Sequence, residues 1–252
     1  MQDFHSCLNS RLMIRNKQSL RDILRGLYAG LPIALGYIPV SFTFGLLAVN
    51  SGLPAWVAVF ISLTNLTSAG QFAGLNLIIA NASYGEIALT TFVINIRYML
   101  MSLSLSQKID RRINTLKRCI IGFGVTDEIF AVASQEEREI TFSFMCGLII
   151  GPYLGWALGT YLGAATTSFL PSSLQEAMGI ALYGMFIAII IPAAKKSKSA
   201  LTVIIIAVGI SSIFKWVPML NRISDGFRII ISTVISSLVG AVFFAREEEQ
   251  DE

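Results

Sequence analysis

Charged residues are scarce in this sequence. Asp, Glu, Lys and Arg make up 14% of the 252 residues, whereas soluble domains contain about 25%. Apolar residues make up 54%, and the mean hydropathy is +0.67. The net charge of +3 is small, and the basic residues stand in short clusters at segment ends, so we expect no nucleic-acid partner. The composition is that of an integral membrane protein embedded in a lipid bilayer.

Histidine and cysteine are nearly absent. The one histidine, His5, lies in the polar N-terminal region, and Cys7, Cys119 and Cys146 show no paired spacing. Neither a Cys/His metal site nor a disulfide framework can be built from these residues. The sequence also lacks an HExxH motif, a Gly-rich phosphate loop and an intramembrane histidine to act as a base. We therefore expect neither an enzyme nor a cofactor.

Long apolar runs fill most of the chain. A membrane-spanning helix needs about 20 largely apolar residues, and six or seven segments qualify. They lie at about 27–49, 55–80, 86–106, 141–165, 175–193, 200–217 and 228–245. The sequence predicts an all-α integral membrane protein, a polytopic helical bundle. It divides into a cytoplasmic basic tail at 1–25, one transmembrane domain at 26–245 and an acidic C-terminal tail at 246–252.

The basic clusters predict how these segments cross. Lys and Arg mark cytoplasmic loops, and they cluster at 11–25, 108–118 and 195–198. If segment 55–80 crossed the membrane, the second cluster would lie outside. We therefore predict that 55–80 is a broken, re-entrant helix, because its centre is small and polar. Such irregular backbone is tolerated at membrane depth only where it is buried in protein or lines a cavity.

A second break is predicted near 119–134, a stretch too short to span. Gly124 loosens it, and Thr126 is a good N-cap with Asp127 and Glu128 in the turn that follows. We predict a half-helix here. Two opposed polar breaks are typical of secondary transporters. The two acids are candidate proton acceptors, cation ligands or partners of Arg97. The alternative is that they are ordinary acidic residues in the first turn of a helix, where the helix dipole stabilises them by about 0.3–1 kcal/mol.

Arg97 lies near the middle of segment 86–106. A charge at that depth costs about 2.5–3.5 kcal/mol even on insertion scales. Helical spacing gathers polar residues around it in two adjacent rows, which are Thr90, Arg97 and Ser104, and Thr91, Asn95, Tyr98 and Ser102. The functional interpretation is a buried binding group; the alternative is a structural arginine bonded to carbonyls. The Gln71 side chain has both a hydrogen-bond donor and an acceptor that could bind a ligand. The alternative is that it only hydrogen-bonds one helix to another.

Small residues recur every fourth position in segment 141–165. They are Gly147, Gly151, Gly155, Gly159 and Gly163. Such a stripe lets another helix approach closely. It predicts helix packing, and the neighbour is either a helix of this chain or one of a partner.

Four stretches together resemble one family. They are Pro32–Gly45, Thr67–Phe72, Asn95–Leu105 and Phe123–Ala131, and they resemble the large subunit of the branched-chain amino-acid exporters, the azaleucine-resistance AzlC-type family. The resemblance implies export of leucine, isoleucine, valine and sometimes methionine across a bacterial inner membrane. It also implies a small hydrophobic AzlD-type partner subunit. This chain has Gly70 where the family usually has Ser, and Tyr98 where it usually has His.

An amino-acid substrate suggests roles for the polar residues. The carboxylate needs a cation or helix N-terminus, the ammonium an acid, and the branched side chain an apolar pocket. The predicted substrate-binding residues are Arg97, Asn95, Gln71, Ser68, Thr67 and Tyr37, with Phe42, Phe44 and Phe72 beside Tyr37 in the pocket. Asp127 and Glu128 are predicted to bind the ammonium or couple transport to the proton motive force. The alternative function is a non-transporting membrane scaffold or sensor.

Overall fold

All regular structure in the described part of the chain is helical, apart from an isolated bridge between Ile109 and Ile140. The computed structural model describes residues 2–167, 197–217 and 223–244, with a few single positions between them (169, 171, 187, 190, 191, 194, 195 and 220). The helices are α1 (Gln2–Asn50), α2 (Ala55–Thr64), α3 (Ala69–Ile79), α4 (Tyr84–Ser106), α5 (Thr115–Phe123), α6 (Asp127–Ser134), α7 (Phe142–Thr166), α8 (Lys198–Trp216) and α9 (Asp225–Phe244). The predicted all-α fold class is confirmed.

Five of these helices are long and apolar enough to cross a membrane. They contain the spans Lys17–Asn50, Tyr84–Ser106, Phe142–Thr166, Lys198–Trp216 and Asp225–Phe244. The segment predicted at 175–193 lies outside the described residues except for three single positions. Helices α2 and α3 are shorter apolar helices, and at 1.5 Å per residue each is about half the length that a span needs. The predicted break inside 55–80 is therefore present.

The chain divides into two compact units. The first comprises Met1–Thr67 and Arg97–Phe169, and the second comprises Ser68–Ile96 and Leu170–Glu252. Helices α1, α2, α5, α6 and α7 belong to the first unit, and α3, α8 and α9 to the second, while α4 contributes to both. The prediction of one transmembrane domain at 26–245 stays a prediction.

Helices α1 and α7 pack against each other along their length in the first unit. At Gly147, Gly155, Gly159 and Gly163 an added Cβ would meet the backbone of α1 at closer than a normal contact. The contact is reciprocal, because Gly26, Gly30 and Gly45 of α1 meet the backbone of α7 in the same way. Glycine has no side chain to separate the two backbones. The stripe thus joins two helices of the same chain.

An apolar cluster holds the half-helices α5 and α6 against α7. Ile121, Ile129 and Ile140 are at most 2% exposed, and the side chains of Phe144 and Leu148 on α7 pack in the same cluster. At Gly124, between α5 and α6, an added Cβ would overlap the side chain of Ile149 on α7. The turn between the two half-helices therefore packs on the Ile149 side chain at a distance that requires glycine at position 124.

The α1–α7 contact predicts different effects for two glycines of the same helix. Gly159→Ala should destabilise the protein by about 1–3 kcal/mol, since its new methyl group overlaps the backbone of Ile38. Gly151→Ala is the matched control, because its Cβ would lie 3.8 Å from the nearest atoms of Ala34 and Leu27, an ordinary contact. Thermal unfolding of the purified protein in detergent measures both. Equal stability of the two variants would contradict the close approach.

The re-entrant prediction for 55–80 can be tested by labelling. Ser51→Cys and Ser83→Cys flank the segment, and each is made in a chain whose own cysteines are replaced by alanine. Both should react with an impermeant maleimide added outside intact cells, whereas Arg112→Cys in the basic cluster should react only after permeabilisation. Reaction of Ser83→Cys only after permeabilisation would mean that the segment crosses.

Candidate functional site

The first helix break, Asn65–Ser68, lies between α2 and α3. Ser68 has φ 46°, a left-handed conformation that is rare for a residue other than glycine. The Thr67 hydroxyl donates to Asn65 Oδ1 at 2.7 Å. The Tyr98 hydroxyl donates to the carbonyl oxygen of Thr67 at 3.2 Å, and the Tyr153 hydroxyl donates to that of Leu63 at 2.9 Å. Tyrosine hydroxyls thus supply the hydrogen bonds that the broken helix cannot make itself.

The second break lies at Gly124–Thr126, between α5 and α6. Thr126 Oγ1 accepts a hydrogen bond from the backbone N–H of Ile129 at 3.3 Å. This is an N-cap, and it confirms the predicted role of Thr126 as the start of the half-helix. Asp127 and Glu128 occupy the first turn of α6. Negative side chains are favoured there by the helix dipole.

Arg97 and Tyr98 of α4 connect the two breaks. Arg97 Nη2 lies 3.0 Å from Asp127 Oδ2 and also donates to the Tyr98 hydroxyl at 3.2 Å. Tyr98 in turn bonds to the first break through Thr67. The Arg97 and Asp127 side chains are 42% and 41% exposed, so the ion pair is half-buried. The Nε atom of Arg97 is buried and has no hydrogen-bond partner among the described residues.

Tyr37 of α1 joins the same cluster. Its hydroxyl lies 2.7 Å from Thr126 Oγ1 and 2.5 Å from Glu128 Oε2. Its ring packs edge-to-face on Trp156 of α7, with ring centroids 5.2 Å apart. The ring is held by packing and the hydroxyl by α6, so Tyr37 fixes the start of the half-helix against the α1–α7 pair. Glu128 itself remains exposed.

The five residues Arg97, Asp127, Glu128, Tyr37 and Thr67 are thus brought together within the first unit, Thr67 through its backbone. The cluster contains one fixed cation, one carboxylate paired with it and a second carboxylate held by a phenol. Such an arrangement can exchange its ion pair for the two charges of a zwitterion. No group of three or more His, Cys, Asp or Glu side chains suited to a metal occurs among the described residues.

The other predicted site residues, Ser68, Gln71 and Asn95, belong to the second unit. Gln71 is 2% exposed. The backbone of Gly70 lies against the side chain of Asn95 so closely that an added Cβ would overlap the amide group. Asn95 Oδ1 is buried and has no hydrogen-bond partner among the described residues. Glycine at position 70 is therefore what leaves room for this amide.

Sequence reasoning missed Glu86. Its side-chain oxygen Oε1 accepts from the backbone N–H of Gly226 at 3.1 Å, which caps the N-terminal turn of α9 from another helix. Thr90, one turn further along α4, is fully buried. The available signal was an acid at the start of an apolar helix, but an acid there is ordinarily explained by its own helix dipole.

The fold and this cluster together define a multi-pass α-helical membrane protein with two broken helices. The family model described as AzlC protein matches residues 32–170. That match includes both breaks and Arg97, and the chain belongs to the AzlC family.

Curated relatives agree with this assignment. "Inner membrane protein YgaZ" of Escherichia coli (strain K12) is 31% identical over 183 residues, which cover 70% of this chain and 75% of that protein. An "Uncharacterized membrane protein" of Archaeoglobus fulgidus is 33% identical over 171 residues, covering 67% and 74%. A third, from Helicobacter pylori (strain 26695), is 30% identical over 191 residues, covering 72% and 81%. No solved structure matches the chain.

The contact at Gly70 predicts a functional effect of adding one methyl group. Gly70→Ala should displace the Asn95 amide, so its transport activity should fall to the level of Asn95→Ala if that amide binds substrate. Gly74→Ala is the matched control on the same helix, because its Cβ would lie 3.7 Å from Thr91 Oγ1, an ordinary contact. The measurement is efflux per folded molecule of leucine, a substrate that the family resemblance implies. Normal efflux in Gly70→Ala but not in Asn95→Ala would show that the amide tolerates the shift.

Proposed function

We propose that this protein is the large subunit of a secondary transporter in the inner membrane, exporting branched-chain and related apolar amino acids. Membership of the AzlC family and the membrane relatives support a transport role. The substrate class, coupling to the proton motive force and an AzlD-type small partner subunit are parts of the proposal. It rests on one observation above all, the half-exposed ion pair of Arg97 and Asp127 between two helix breaks.

The ion pair has the charge pattern of its proposed ligand. An amino acid carries one carboxylate and one ammonium. Arg97 would bind the carboxylate and Asp127 the ammonium, and each group would exchange one partner for another of the same sign. No uncompensated charge is left at membrane depth, where an unpaired charge is strongly unfavourable. The guanidinium also presents a planar set of donors that fits a carboxylate with two hydrogen bonds.

Glu128 is the carboxylate that we propose for proton coupling. Asp127 already has a cation 3.0 Å away, whereas Glu128 is exposed and accepts a hydrogen bond from the neutral hydroxyl of Tyr37. Because Asp127 would bind the ammonium of the substrate, Glu128 is the acid of the cluster that is left for this role. Tyr98 stands where the family usually has a histidine, so proton transfer in this chain would depend on the acids of α6.

The alternative proposal is a scaffold or sensor that does not transport. In that case the Arg97–Asp127 pair would serve only to hold the two breaks together, as a structural ion pair. The two proposals differ in what happens to a correctly folded variant. A scaffold loses nothing but stability when the arginine is changed, while a transporter loses substrate binding in molecules that are still folded.

Arg97→Lys should reduce leucine export by about tenfold or more, because the lysine keeps the charge but loses the planar fork, and hydrogen bonds to charged groups contribute about 1.5–3 kcal/mol. Arg97→Gln should be worse. Tyr98→Phe is the neighbouring control, expected to lower stability by about 1 kcal/mol with little effect on transport. The measurement is uptake of radiolabelled leucine into inverted vesicles, with and without a proton gradient, normalised to folded protein.

The normalisation separates the two proposals. If Arg97→Gln transports normally per folded molecule, Arg97 is not the carboxylate site, and residues Thr67 to Gln71, at the first break and the start of α3, become the leading candidate. If the wild-type protein, expressed with its small subunit, transports no apolar amino acid in either condition, the scaffold proposal takes its place.

A further inference from the structure

The second unit contains an open cavity of about 980 Å³ between α3, α8 and α9. Each helix contributes residues of one face, as the spacing of Val208, Ser211 and Lys215 on α8 shows. On α9 the lining residues include Arg228 and Ser232. None of the lining residues belongs to the cluster around Arg97, so this cavity calls for its own explanation.

One end of the cavity is charged. Lys215 lies in the last turn of α8, and Asp225 and Arg228 lie in the first turns of α9. Arg228 Nη1 is paired with Asp225 Oδ1 at 3.1 Å. Lys215 takes part in none of the ion pairs found among the described residues. The residues lining this end are two cations and one carboxylate, so the lining carries one net positive charge. The adjacent N-terminus of α9 is already capped by the Glu86 carboxylate, so Lys215 and Arg228 are the groups that would meet an anion.

The walls beyond the charged end are apolar. They include Ala207, Val208 and Ile229. Ala207 lies eight positions before Lys215 on α8, which corresponds to a depth of about 12 Å. Within this wall Ser232 is 8% exposed, and its hydroxyl has no hydrogen-bond partner among the described residues. The cavity thus combines a charged end, an apolar wall and the buried Ser232 hydroxyl, which has no hydrogen-bond partner among the described residues.

The charged end of the cavity has the residues typical of the membrane–water interface. Trp216 follows Lys215 directly and is 82% exposed. Tryptophan and lysine at the end of an apolar helix are the usual residues of the membrane–water interface. From this level the wall runs about 12 Å toward the hydrocarbon core. A ligand in the cavity would have its anionic group among the headgroups and its apolar part at the depth of the acyl chains.

We propose that this cavity binds an anionic phospholipid. The headgroup phosphate lies at Lys215 and Arg228, and an ester oxygen accepts a hydrogen bond from Ser232. The first part of an acyl chain lies against Ala207, Val208 and Ile229. Basic residues beside an apolar surface favour anionic over zwitterionic lipids. A water-soluble phosphate would match the charge of the charged end but would leave the apolar wall uncovered.

The test is lipid binding to the purified full-length protein, with phosphatidylglycerol and phosphatidylcholine of the same acyl chains titrated in detergent and bound lipid counted by native mass spectrometry. Phosphatidylglycerol should bind more tightly, and Lys215→Gln should weaken it by about fivefold. Lys198→Gln is the matched control, because it removes the same charge from the opposite end of the same helix. Equal binding of both lipids, or equal loss in both variants, would overturn the proposal.

A second variant tests the apolar wall without altering the charge. Ala207→Phe fills the apolar part of the cavity, about 12 Å from Lys215 along α8, and it should abolish the phosphatidylglycerol preference while thermal unfolding in lipid-free detergent stays near the wild-type value. Glycerol phosphate and leucine serve as competitors. Displacement of the lipid by millimolar glycerol phosphate would indicate a site for soluble phosphate, and displacement by leucine would indicate an amino-acid site; either result refutes the lipid proposal.

Discussion

The close approach of α1 and α7 is the contact on which the first unit depends. Two helical backbones lie against each other because glycines replace side chains on both surfaces. This pair provides the fixed surface against which the other elements pack. Tyr37 on α1 and Trp156 on α7 pack edge-to-face between the two helices, and through the Tyr37 hydroxyl the helix pair fixes the position of α6. Widening the α1–α7 distance would therefore move the half-helix and the acids at its start.

A second requirement shapes the site. Inside a membrane every backbone polar group needs a partner within the protein, and each helix break removes several. Tyrosine suits this task because its rigid apolar ring crosses a packed region and brings one hydroxyl to the far side. Tyr98 and Tyr153 do this at the first break, while Thr126 caps the second. Because tyrosine hydroxyls bind these carbonyls, the Arg97 guanidinium is not needed for that role. The half-exposed ion pair of Arg97 and Asp127 is therefore available to a ligand.

Local features of this arrangement could be predicted from the sequence, and long-range ones could not. Small polar residues at 64–71 and the Thr126 cap are local signals, so both breaks were predictable. The glycine stripe indicated a close neighbour, but spacing on one helix carries no information about which helix that is. The candidate partners of Arg97 were a bound substrate, backbone carbonyls and the acids of α6, and only the fold shows that Asp127 lies beside it. Glu86 and Gly226, 140 residues apart, are joined by tertiary packing alone.

The backbone at Ser68 has a consequence for the energy of the first break. Its φ of 46° lies in a region that costs a non-glycine residue about 1–3 kcal/mol. Hydrogen bonds of Thr67 on one side and from Phe72 N–H to the Ser68 carbonyl on the other hold this torsion in place, so the break is ordered without a ligand. A ligand that binds at an already ordered break loses no affinity to the entropy of ordering that segment. Conversely, a rearrangement that let Ser68 return to ordinary helical torsions would be driven by the release of that stored strain.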